Sequence, residues 1–173
     1  FLAFGVCLAV PELRLGFSAY LQHLFQGMDL TDGAGNLSPL LLLANNLRAC
    51  AVTMLYGLIP FVRLPALALG VNAVLLGGLA ACYAATDTTM LLYAASLLPH
   101  GIFELPALIL AFSMGLYICG HLTRRCRRDP AALPLGACLG LAARLLVFLL
   151  LPLLILAALT EAYVTPLAAG LFL

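Results

Sequence analysis

The sequence predicts an all-α integral membrane protein, and three observations carry that prediction. The 173-residue chain is 65% hydrophobic and only 9% charged, with a mean hydropathy of +1.15, whereas a soluble domain is about a quarter charged. Apolar runs long enough to cross a bilayer as helices recur along it, separated by short segments carrying Arg, Asp, Gly or Pro. Those runs are helical in period and lack the short alternating segments of a β-barrel. The expected architecture is a single polytopic domain over residues 1–173. It has about five transmembrane helices, the first truncated, plus a re-entrant half-helix broken at Pro99-His100-Gly101 and an external amphipathic interfacial helix.

Position 1 is Phe, so the sequence reads as starting within a longer protein, and residues 1–11 read as the end of a first span closing at Pro11. Residues 12–28 put Leu13, Phe17, Tyr20, Leu21, Leu24 and Met28 on one helical stripe. Glu12, Arg14, Ser18, Gln22, His23 and Gln26 fill the rest, which is the pattern of an interfacial amphipathic helix. Residues 29–39 (DLTDGAGNLSP) form a turn-rich, solvated loop; Asp29 and Asp32 lack the spacing of an EF-hand. Spans are expected over 40–62, 66–85, 102–122 and 135–159. Residues 90–101 are too few to cross a hydrocarbon core of about 30 Å and run into a Pro and a Gly, so they are expected to dip in and return as the re-entrant half-helix.

Orientation follows from arginine. All eight basic residues are Arg, and four of them lie between Arg124 and Arg128. Arginine excess marks the cytoplasmic side, so this loop is expected on the cytoplasmic side of the cell membrane, with residues 12–39 and the re-entrant segment on the opposite face. Nothing beyond that loop favours nucleic acid, and the bilayer is the expected partner. The six Cys form no C-x-x-C pair and read as small buried hydrophobes. Ala73-x-x-x-Gly77 and Gly136-x-x-x-Gly140 have small-xxx-small spacing, which brings helices into backbone contact within one chain or in a homo-oligomer.

Polar groups inside the apolar runs are the candidate site: His100, Glu104, Arg48, Asn45, Asn46, Asn72 and Glu161. An ionisable residue in a span costs about 3 kcal/mol and marks a functional hypothesis. His100 and Glu104, four apart, share a helix face. Arg48 is the expected partner of Glu104, with Asn45 and Asn46 nearby. Asn72 is expected to meet Arg144 on the inner side, and Glu161 to sit near the outer end of the last span. A metal needs a further ligand beside His100 and Glu104, and neither His23 nor His121 is placed to supply it. No catalytic residue, metal or cofactor is therefore assigned. Ser96, one turn before His100, lacks the setting of a hydrolase nucleophile.

The chain resembles the stage II sporulation protein M family. The residues that carry the resemblance are Asn45-Asn46-x-Arg48, then Gly70-Val71-Asn72, then Leu98-Pro99-His100-Gly101-x-x-Glu104-x-Pro106-Ala107, then Glu161-Ala162-Tyr163-x-Thr165-Pro166. It covers nearly the whole chain, and the Pro-His-Gly run is its most specific part. The resemblance implies a small polytopic membrane protein that anchors peptidoglycan-degrading partners during engulfment in spore formers, with residues 12–39 as the natural contact surface for extracytoplasmic partners. A scaffold is thus the first functional reading and an enzyme is disfavoured. An ion- or proton-coupled small-solute transporter or channel using His100 and Glu104 is the alternative, and an intramembrane metallohydrolase the third.

Overall fold

The computed structural model describes residues 2–26, 30–31, 36–85 and 90–171, and its regular elements are all helices. α1 (Leu2–Ala9) meets α2 (Pro11–Gln26) at a bend of 114°. The bend falls where Pro11 opens α2: proline lacks an N–H and restricts the residue before it, so it suits a first helical position better than an interior one. α3 (Pro39–Leu55) likewise starts on a proline and ends in a 3-10 turn, Tyr56–Leu58. α4 (Leu64–Ala84) follows a tight turn in which Phe61 and Arg63 take positive φ. α5 (Met90–Cys126) is one helix of 37 residues.

The last helix, α6 (Leu135–Gly170), runs for 36 residues and contains two π-helical segments, Leu146–Leu150 and Thr160–Val164. Each wide segment ends two residues before a proline, Pro152 and Pro166. A proline in a helix crowds the carbonyl four residues back and leaves it without a donor, and a local π adjustment accommodates it.

Four helices, beginning with α3, are long and apolar enough to cross a membrane, and the bent α1–α2 pair makes a fifth if it is one broken span. Their outward faces carry large apolar side chains, with Phe148 77% and Ile102 65% exposed. In water such a surface would aggregate; in a bilayer it faces lipid. The protein is a membrane protein.

The expected break at Pro99-His100-Gly101 does not occur. α5 passes through all three residues, and Pro99 and Pro106 both lie inside it. In lipid, unwinding would strand several backbone groups at several kcal/mol each, whereas each proline strands one carbonyl. Residues 90–101 and 102–122 therefore form one rod instead of a re-entrant half-helix and a span. The sharp break lies instead between α1 and α2. Residues 27–29, 32–35 and 86–89, which include five of the eleven residues of the expected turn-rich loop, are outside the described residues.

The core is formed by α3, α5 and α6, where Cys50, Met54, Ala107, Ile118, Leu150 and Leu154 pack together. α4 packs on α5 and carries α1 and α2 on its other side. Gly77 faces Ala3 and Phe4 of α1, so the Ala73-x-x-x-Gly77 spacing serves a contact within the chain. Gly136 and Gly140 face open space. α3 and α5 run parallel, in a register set by Phe61 N–H donating to Thr123 Oγ1 (3.0 Å) and Cys119 Sγ–H to the Ile59 carbonyl (3.4 Å). The Arg63 turn therefore lies beside the Arg124–Arg128 turn, with the Arg127 guanidinium 5.8 Å from the Phe61 ring centroid.

Along α2, Leu21 is buried while Leu13 and Tyr20 are exposed. Phe17 rests where a Gly78 side chain would be. Gly78→Val should consequently displace the Phe17 ring and free α2 from α4, leaving the α3–α5–α6 core folded. Spin labels at Gln22 and Gly70 should give a broadened distance distribution in the variant; an unchanged one would show that something else holds α2.

Candidate functional site

Three ionisable side chains from two helices converge at the end of the bundle remote from the arginine-rich turn. His100 Nε2 lies 3.9 Å from Glu104 Oε2, and the side chains are only 13% and 24% exposed. Glu161, on α6, joins them. One ligand atom from each of His100, Glu104 and Glu161 lies within 4.8 Å of the others. The α5 pair is set by helix geometry, since residues four apart stack on one face. Glu161 is brought in by tertiary packing of α6 along α5 and sits in the second π-helical segment.

His100 is oriented from behind. Its Nδ1 lies 3.3 Å from Thr165 Oγ1, and the Thr165 hydroxyl proton is committed to the Thr160 carbonyl at 3.3 Å. The Thr165 oxygen is therefore the acceptor, and Nδ1–H the donor. In the neutral ring this leaves Nε2 with its lone pair turned toward the two carboxylates. A lone pair and two carboxylates facing one another need something positive between them, a shared proton or a cation. Thr165 and Thr160 were not assigned roles from sequence. Thr165 is signalled only by the Glu161-Ala162-Tyr163-x-Thr165-Pro166 run, and Thr160 lies outside that run.

The other expected members are placed differently. Arg48 is exposed on α3, and among the described residues no ion pair joins it to Glu104. Residues two apart on a helix point about 200° apart, so with Cys50 fully buried in the core Arg48 faces outward. Asn45 and Asn46 are partly buried and make no hydrogen bond to the cluster among the described residues. Asn72 Nδ2–H donates to the Ala68 carbonyl at 3.0 Å on its own helix, and Arg144, its expected neighbour, is exposed on α6. Asn72 does share with Glu104 the wall of a cavity of about 240 Å³ between α4 and α5, otherwise lined by apolar residues such as Leu76, Leu105 and Phe112. Ser96 donates to the Leu92 carbonyl at 2.8 Å, so its proton is spent within its helix.

The remaining histidines are elsewhere. His23 is exposed on α2. His121 accepts a bond from Leu133 N–H (3.2 Å) and stacks edge-on with Tyr117 (4.5 Å), tying down the arginine-rich turn. The further metal-capable side chain beside His100 and Glu104 is Glu161, not a histidine.

A family model described as Stage II sporulation protein M matches residues 3–166, nearly the whole chain. No curated protein and no solved structure matches it.

Proposed function

The chain belongs to the stage II sporulation protein M family, and we propose on that premise that it is a membrane-embedded scaffold whose bundle holds residues 12–39 out for extracytoplasmic partners that remodel peptidoglycan. The observation that supports this reading is the posture of α2. It turns away from α1 by 114° and is held on α4 through Phe17 at Gly78. That leaves Leu13, Leu15 and Tyr20 from 54% to 69% exposed. Apolar and aromatic side chains on an anchored helix suit a protein contact or a lipid interface.

Sidedness is part of the proposal. The Arg63 and Arg124–Arg128 turns share one end of the bundle, which arginine excess assigns to the cytoplasm. α3, α4, α5 and α6 then make four crossings, and α2 and the start of α3 fall on the far side. The exposed Cys126 should label only from the cytoplasm, and a cysteine at Ser38 only from outside.

The functional test is recovery of peptidoglycan-cleaving activity with the full chain purified from host membranes. Leu13→Asp combined with Tyr20→Ala should reduce that recovery at least tenfold while the protein still elutes as a single species. Undiminished recovery would reject the anchoring surface. Ion or proton movement is the second reading, favoured by the convergence of His100, Glu104 and Glu161. It requires that Glu104→Gln stop flux in proteoliposomes.

A further inference from the structure

We propose that His100, Glu104 and Glu161 form a binding site for a divalent transition-metal cation of the zinc type, which ties α5 to the outer turns of α6. The donor set is one imidazole nitrogen and two carboxylates, ligands that suit zinc and its neighbours. Ligand atoms around a tetrahedral ion at bonds of about 2.0–2.2 Å lie about 3.3–3.6 Å apart. The His100–Glu104 separation is 3.9 Å and all three groups fall within 4.8 Å, so rotamer-scale adjustment closes the site.

Charge argues in the same direction. Two carboxylates and a neutral imidazole around a dication sum to zero, the one balance that the interior of a membrane bundle tolerates without a further partner. No arginine supplies the compensation: among the described residues no ion pair links Arg48 or Arg144 to either glutamate.

The surroundings are those of a metal ligand. A ligating histidine ordinarily donates its other ring N–H to an outer partner, which fixes the tautomer. Thr165 does this for His100, and is itself held by the Thr160 carbonyl. Glu161 sits on a π-helical segment, a feature frequent at functional sites. Glu104 also borders the cavity beside α4. The inference is independent of the scaffold reading, because anchoring of partners by α2 does not require it.

The test uses the full chain in detergent, stripped of metal and equilibrated with zinc at micromolar free concentration, then desalted and assayed for bound metal. One zinc per chain is expected, and cobalt(II) should show the intense visible bands of a four-coordinate site. Glu161→Gln and His100→Ala should lower bound zinc at least tenfold. Thr165→Val, which leaves all three ligands in place, should weaken affinity by about tenfold. A wild-type chain that retains no zinc overturns the proposal and leaves a shared proton in the site. Full zinc retention by Glu161→Gln also overturns it, by placing the ion elsewhere. Should His100→Ala fail to fold, the wild-type stoichiometry, the cobalt spectrum and Thr165→Val still decide.

Discussion

Gly57→Val should be among the most destabilising single substitutions in the protein, by about 3 kcal/mol. Gly57 lies in the 3-10 turn after α3, and its Cα faces the backbone of Gly115 on α5. A Cβ there would overlap the Gly115 carbonyl oxygen and approach its carbonyl carbon to 2.9 Å. The obstacle is backbone within a 37-residue helix, not the tip of a movable side chain, so neither partner can yield cheaply. Gly115 is equally confined, since a Cβ on it would meet Pro65 Cγ and the Thr53 carbonyl oxygen, each at 2.8 Å. This crossing of two glycines lets the α3–α4 turn seat against α5. Thermal unfolding in detergent measures the effect, with Gly140→Val as control. Nothing lies within 4 Å of a Cβ at Gly140, so that change should fall within about 0.5 kcal/mol. Equal stability of the two variants would refute the close approach.

Leu154→Ala should cost about 2 kcal/mol, at the low end of the range for large-to-small core changes. Leu154 has no exposed surface and sits with Leu150 in the cluster joining α3, α5 and α6. In a soluble core, truncation loses both transfer free energy and packing. In a bilayer the apolar reference environment removes most of the transfer contribution and leaves lost dispersion contacts and the cavity. Phe148→Ala, on a residue 77% exposed to lipid, should be close to neutral by the same reasoning. Unfolding of both variants in the same detergent makes the comparison; a Phe148→Ala loss as large as that of Leu154→Ala would mean that α6 is rotated from its assigned face.

Sequence by itself determined the class of this protein: long apolar runs, a near absence of charge and an arginine-rich turn leave helices in a membrane as the architecture. It also determined the His100–Glu104 pair, because a spacing of four on one helix is a local geometric fact. Its family was legible in the Pro-His-Gly run and its neighbours. The course of the chain at Pro99 was not, because whether a proline breaks a helix depends on whether the surroundings offer the freed backbone groups water. In lipid they do not, and α5 stays whole.

Tertiary structure alone decided the partners. Arg48 had the right charge to meet Glu104, yet two residues of helical rotation from Cys50 turn it outward. Glu161 is separated from Glu104 by the arginine-rich turn and by most of α6, so only the packing of α6 on α5 could bring them together. The orientation of Glu161 and Thr165 further depends on two π-helical segments, each of which shifts the faces that follow it out of the 3.6-residue count. The candidate site thus has two members written along one helix, and a third ligand and a supporting hydroxyl supplied by a second helix whose rotation no periodicity in the sequence records.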